Sequence, residues 1–239
     1  MSTETRTTAL RESAATFDRL VEVVRALPDA AHAEASPLPG WTRGHVLAHV
    51  DGVGAALARQ AEAAARGEQV EVYDGGAAGR AAAIEAGARR TTAQHVAALE
   101  ALRERLRAAW PAPGDPLWHA PVTYRLGTLE GALLAWWREA VIHAGDATAG
   151  LGAALGPATW SAPFCAHLDA FLAVRLPAGW RVTDLRGDAR DVASWLAGRV
   201  PSGTVWAERD GAHVPLPELG PWPSSSPAPG AAVTPPAGV

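Results

Sequence analysis

Glu139 and His143 lie four residues apart in the run Arg138-Glu139-Ala140-Val141-Ile142-His143. On a helix that spacing stacks the two side chains one turn apart on one face. A carboxylate and an imidazole placed this way can share one divalent ion, and a third ligand must then come from another element. His49 is the natural donor. It follows Val46 by three and precedes Val53 by four, which puts it on the inward stripe of a different helix. Two imidazoles, one carboxylate and open coordination positions suit catalytic zinc or a related divalent ion. The same residues also have a plainer reading, as a surface Glu–His pair and a core histidine. A carboxylate facing a core is costly alone, so burial of Glu139 would itself demand a partner.

The elements that must carry these residues follow from periodicity. Leu10, Phe17, Leu20, Val21, Val24 and Leu27 recur at helical spacing and predict a first helix over 8–27, ended by Pro28. Thr42 is a fitting N-cap for a second helix to about Arg66, ahead of Gly67. A long third helix is expected from 77–80 to Trp110, and Thr128 is expected to cap a fourth that runs to about Ala149 and stops at Gly150. Pro157 opens a fifth helix to about Leu176. The pattern then changes to a strand over 180–185, a short helix from Asp188 to Gly198, and a hairpin over 204–216 turned at Asp210-Gly211. From Pro223 onward the chain is rich in Pro, Ala and Ser and is expected to be disordered. The expected architecture is therefore mainly α: a metal-binding helical bundle over 1–155, a small α+β C-terminal domain over 156–222, and a tail over 223–239.

Composition narrows the function classes. The chain has 239 residues, 48% apolar, with a net charge of -4. A mildly acidic chain without a basic patch argues against nucleic-acid and anionic-membrane partners. It contains no Lys, which removes the phosphate-loop lysine, and no Gly-x-Ser-x-Gly elbow. The single cysteine, Cys165, excludes an internal disulfide and a cysteine-rich zinc site. Met1 to Leu10 lacks the basic-then-apolar pattern of a signal peptide, and no run approaches the ~18 apolar residues of a membrane span. The expectation is a cytoplasmic protein, monomer or homodimer, acting on a small molecule.

Two motifs add a family resemblance. Leu38-Pro39-Gly40-Trp41-Thr42-Arg43-Gly44-His45-Val46-Leu47-Ala48-His49 closely resembles the N-terminal signature of the mycothiol-dependent maleylpyruvate isomerase family, part of the DinB-like metalloprotein superfamily. Arg138-Glu139-Ala140-Val141-Ile142-His143-Ala144-Gly145-Asp146 resembles its second signature, Arg-Glu followed by His and then Asp. The resemblance covers about residues 8–150. It implies a DinB-like four-helix bundle. It also implies a divalent metal, usually zinc, held by His49, Glu139 and His143, and mycothiol as thiol cofactor or cosubstrate.

The implied reaction is cis–trans isomerisation of a maleylpyruvate-type substrate by thiolate addition, bond rotation and elimination. A mycothiol S-transferase acting on another electrophile, or a non-catalytic metal-binding module, are the alternatives. The family also carries a C-terminal apolar-Gly-Arg stretch, which Trp195-Leu196-Ala197-Gly198-Arg199 resembles. Arg199 thereby becomes the catalytic candidate, a cation near substrate carboxylates, and Arg125 in the long loop 111–127 is a further one. His45 and Asp146 are candidates for supporting the ligand histidines from behind. His95 and His119 have weaker claims on the site, and His32, His167 and His213 have no motif support.

Overall fold

The computed structural model describes residues 2–153 and 155–223. Helix α1 (Thr3–Arg25) starts earlier than its apolar stripe because the Ser2 hydroxyl accepts from the Thr5 amide and caps it. Helix α2 (Arg43–Ala65) begins at Thr42, in a capping box closed by the His45 side chain. Helix α5 (Leu129–Ala147) follows Thr128, whose side chain, against expectation, makes no capping hydrogen bond; its carbonyl accepts from the Ala132 amide. With α4 (Thr92–Ala109) these form a four-helix bundle, while α3 (Gly76–Gly87) packs outside it against α2.

The long third helix expected from 77–80 to Trp110 is thus two helices. Thr91 accepts from the Gln94 amide and donates its own amide to the Gln94 side chain, which builds a helix start in the middle of the periodic stretch. The break releases α3 from the bundle axis and brings Arg80 to the site described below.

The C-terminal part also departs from expectation in detail. The fifth helix is α6 (Ala162–Leu172) alone, because Ser161 caps it and the residues on either side, Pro157–Thr159 and Ala173–Arg175, form 3-10 turns. The strand expected over 180–185 is mostly a 3-10 turn, Val182–Asp184, stabilised by the Arg181 amide donating to Asp184. Only β1 (Leu185–Arg186) is extended. Asp188 caps α7 (Ala189–Leu196) as expected. Strands β2 (Trp206–Arg209) and β3 (Ala212–Val214) form the hairpin. Its turn places Asp210 at φ 52° and Gly211 at φ 77°, the positive angles that a two-residue hairpin turn needs. The sheet is antiparallel in the order β1-β2-β3, with Glu208 opposite His213. The tail expected over 223–239 lies outside the described residues beyond Pro223.

One apolar core runs through the bundle and the C-terminal part. Trp137 on α5 packs against Phe164 and stacks on His167 of α6, with ring centroids 5.3 and 5.1 Å apart.

The two helices that carry the motifs start alike. Each follows a loop pinned by a single antiparallel bridge, Ala35 to Thr42 before α2 and Pro121 to Thr128 before α5. Arg43 then ties one helix to the other. Its buried guanidinium donates to the carbonyls of Ala147 (2.7 Å), Ala149 (3.2 Å) and Ala31 (2.5 Å) and pairs with Glu34 at 2.9 Å. The start of α2 thus caps the end of α5, a favourable place for a cation. That contact sets the register in which the two helices run past each other. Gly44 lets the chain pass under α3. A Cβ at this position would lie 2.3 Å from the Ala88 carbonyl oxygen.

Candidate metal centre and its cavity

The register set by Arg43 brings His49 of α2 beside Glu139 and His143 of α5. One ligand atom from each lies within 4.8 Å of the other two. His49 Nε2 is 2.9 Å from Glu139 Oε2, and His143 Nε2 is 3.2 Å from the same oxygen. The two imidazole rings meet edge to face, with centroids 4.7 Å apart. Trp41 packs edge-on against His49 at 5.4 Å.

The electrostatics match a site built for positive charge. Burial penalises the Glu139 carboxylate, yet hydrogen bonds from His143 and His49 outweigh it and hold its pKa well below the ordinary value. Burial lowers the His49 pKa, and the hydrogen bond to Glu139 only partly offsets this. His143 behaves oppositely. Burial disfavours its charge, but hydrogen bonds to Asp146 and Glu139 prevail and raise it to about 9.

Behind His143 stands Asp146, whose Oδ2 is 2.8 Å from His143 Nδ1. Asp146 in turn receives both ends of the Arg199 fork, Nε at 3.0 Å and Nη2 at 2.6 Å. Burial raises the Asp146 pKa, and the bonds from His143 and Arg199 more than reverse it, so the carboxylate stays ionised. A carboxylate on Nδ1 commits Nε2 to the ligand role and orients the ring.

His49 has a different neighbour, Arg80 of α3, with Nη2 3.1 Å from Nδ1. An arginine only donates, so here Nδ1 accepts and Nε2 carries the proton given to Glu139. A ligating Nε2 requires that proton on Nδ1, and Arg80 cannot then donate there. Even so, the donor set fits a divalent ion: two imidazole nitrogens and a carboxylate converge, and one histidine is already oriented by a carboxylate.

The triad sits in the wall of a cavity of about 650 Å³. Trp41, Val53 and Ile142 give it apolar surface. Four arginines, Arg80, Arg125, Arg138 and Arg199, give it a cationic one. This arrangement can hold a metal-bound nucleophile against a small anionic molecule.

The family model described as the mycothiol maleylpyruvate isomerase N-terminal domain matches residues 13–148. The chain belongs to this family. Two solved structures share the mainly α, DinB-like fold. One, a mycothiol-dependent maleylpyruvate isomerase, is 23% identical, with a TM-score of 0.72 over 91% of this chain and 96% of that one. The other is a histidine-to-alanine mutant of a mycothiol-dependent maleylpyruvate isomerase, at 22% identity with the same TM-score and coverage. No curated protein matches the chain.

For this member of the mycothiol maleylpyruvate isomerase family, the structure brings His49, Glu139, His143, Asp146 and Arg199 into one connected set, and it places Arg125 on the cavity. His45 is not part of that set. Its Nδ1 serves Thr42 at the helix start, and its Nε2 faces Glu85 at 3.4 Å. His95 is buried against His32, ring centroids 4.7 Å apart, and neither lines the cavity. His119 and His213 are exposed away from it, and His167 lies behind it, 2.9 Å from Arg138. Burial pushes the Cys165 thiol up to about 11, which removes it as a nucleophile.

Sequence reasoning passed over three contributors. Arg43 stands inside the first motif, but its role depends on the far end of α5. Arg80 needs the break before α4. Trp222 reaches the cavity because the chain after β3 returns to the 3-10 turn that follows α6, where the Gly220 amide donates to the Arg175 carbonyl at 2.7 Å.

Proposed function

We propose that this protein is a metal-dependent, mycothiol-using isomerase of maleylpyruvate-type substrates. The observation that carries this reading is the triad His49, Glu139 and His143 opening onto an arginine-lined cavity in a chain of this family. His49, Glu139 and His143 would hold the ion, with zinc the best match to the donor set. A divalent ion held there would supply Lewis acidity that keeps a bound thiol as thiolate near neutral pH.

The residues around it perform the rest. The thiolate sulfur of mycothiol forms a C–S bond to one carbon of the substrate's conjugated cis double bond. The displaced electron pair moves into the adjoining carbonyl, and the former double bond becomes single and rotates. Collapse of the enolate breaks the C–S bond, restores a trans double bond and returns the thiolate. Atoms and electrons are conserved throughout. Arginines facing the cavity stabilise the carboxylates and the developing enolate charge. Arg199 acts through Asp146, holding His143 in its ligating orientation. Trp41, Val53 and Ile142 exclude water from the reacting carbons. The protein acts among soluble partners on this reading, a small molecule and a low-molecular-weight thiol. Among the described residues no helix is long and apolar enough to cross a membrane.

The test is metal content per chain in purified protein and in His49→Ala, together with conversion of maleylpyruvate with and without mycothiol. About one zinc per chain, lost in the variant, with turnover only when the thiol is present, supports the reading. Consumption of thiol by other electrophiles without isomerisation would replace it with an S-transferase. Metal without any thiol chemistry would leave a binding module.

A further inference from the structure

Arg138 is the least expected charge in the molecule. It is 7% exposed, and among the described residues no carboxylate forms an ion pair with it. The other arginines buried to this degree are paired: Arg6 with Glu130, and Arg43 with Glu34 and three carbonyls. The groups that touch Arg138 directly are neutral, while the charges of Glu139 and Arg125 act on it only through space. Nη1 lies 2.9 Å from His167 Nε2, and burial holds that imidazole down to about 4, so the ring is uncharged and accepts. The guanidinium lies 3.6 Å from the centroid of Phe171, and the Tyr124 hydroxyl is its other hydrogen-bond partner. A guanidinium has five N–H donors, and this one lines the cavity with most of them unclaimed. A second cation, Arg125, lies over the same Phe171 ring at 5.5 Å. The loop presenting it is in an unusual conformation, with Arg125 at φ 55° and Leu126 at φ 50°. Gln60 holds that loop in place by accepting from the amides of Thr123 and Tyr124 at 3.0 and 3.3 Å.

A buried cation that faces a cavity and has no carboxylate paired directly with it is a site for an anion that arrives with a ligand. We propose that Arg138, assisted by Arg125 and the Phe171 ring between helix and loop, forms a carboxylate subsite beside the metal triad. Its ligand is the carboxylate end of the small dicarboxylate substrate. The planar guanidinium fork matches a carboxylate in two parallel hydrogen bonds. Arg199 is spent on Asp146, which leaves Arg138 the buried cation able to do this. This inference rests on the isomerase reading for its substrate class.

The experiment uses maleate as probe, a cis dicarboxylate, titrated calorimetrically into zinc-loaded protein without thiol. Wild type, Arg138→Met, Arg138→Lys and Arg125→Met are compared, with circular dichroism and zinc content measured on each. Wild type is expected to bind maleate, and Arg138→Met to bind about 10- to 100-fold more weakly with zinc content unchanged. Arg125→Met should lose several-fold. Should Arg138→Met fail to fold, Arg138→Lys decides, because it keeps charge and bulk but loses the fork. About a tenfold loss is expected there. Maleate affinity in the folded Met or Lys variant within about twofold of wild type overturns the subsite. So does the absence of saturable maleate binding by wild type. The isomerase reading fails separately: maleate binding through Arg138 without mycothiol-dependent turnover would keep the subsite and discard the reaction.

Discussion

Replacing Asp146 with Asn tests the arrangement behind the triad, because the substitution works in two opposed directions. Asn keeps the shape and can still accept from His143 Nδ1, but it removes the charge and cannot receive both ends of the Arg199 fork. Loss of such a carboxylate costs about 10- to 100-fold in metal affinity, or roughly 1.4–2.8 kcal/mol. Against this stands a proton. In the metal-free protein the His143 pKa is raised to about 9, against the penalty of burial, by Asp146 and Glu139. Near pH 7 an incoming ion must displace that proton, at a cost of about 3 kcal/mol. Without the Asp146 charge the His143 pKa falls, which returns part of that cost to binding at neutral pH. At pH 9.5 the proton has already left and nothing is returned. Zinc affinity of Asp146→Asn, measured by competition with a chelating dye, should therefore trail wild type by about 10- to 100-fold at pH 9.5 and by a smaller factor at pH 7. An equal ratio at both pH values, or wild-type affinity at pH 9.5, would refute the reasoning.

Three further outcomes are expected. His143 has a folded pKa above its ordinary 6.5, so its contribution to metal-free stability is complete below pH 6.5 and is lost as pH rises through about 9, a change of about 3 kcal/mol. Urea unfolding of chelator-treated protein at pH 6 and pH 10 reads it, and equal stabilities would contradict it. Gly44→Ala should cost about 3 kcal/mol, because the added Cβ meets backbone oxygens of Ala88 at 2.3 Å and His32 at 3.2 Å that no rotamer change can move. An unchanged urea midpoint would show that α3 gives way freely. Gln60→Leu strips the acceptor from the Thr123 and Tyr124 amides and should cost about 1–3 kcal/mol, with hydrogen exchange at those two amides rising first. Unaltered exchange there would mean that the loop carrying Arg125 is held by other contacts.

The convergence of His49, Glu139 and His143 was legible because it rests on helical periodicity, the most robust pattern in a sequence. Glu139 and His143 share a turn, and His49 lies on the buried stripe of α2, where it is 6% exposed. The capping residues Thr42 and Asp188 were equally readable, since a cap is a local contest between side chain and backbone. The break at Thr91 is also local, but the apolar face continues through Ile84, Leu99, Leu102 and Leu106, and that continuity hides it. The strand expected at 180–185 failed because Asp184 turns back on the Arg181 amide, a bond that competes with extension. What could not be read was every role that depends on distant chain. Arg43 on the end of α5, Arg80 on His49 and Arg199 on Asp146 each need the folded register before they acquire a partner. For Arg138 the decisive fact is a missing counter-ion, and local sequence cannot display that.

The fork from Arg199 to Asp146 spans 53 positions of chain, from the loop after α7 back to α5. Thermodynamic linkage makes that bridge work in both directions. Any factor by which the seated loop strengthens ion uptake is the same factor by which ion uptake seats the loop. Stripping the ion should thus be felt far along the polypeptide, as faster proteolysis after α7. The distal segment thereby becomes a reporter of whether the bundle is loaded.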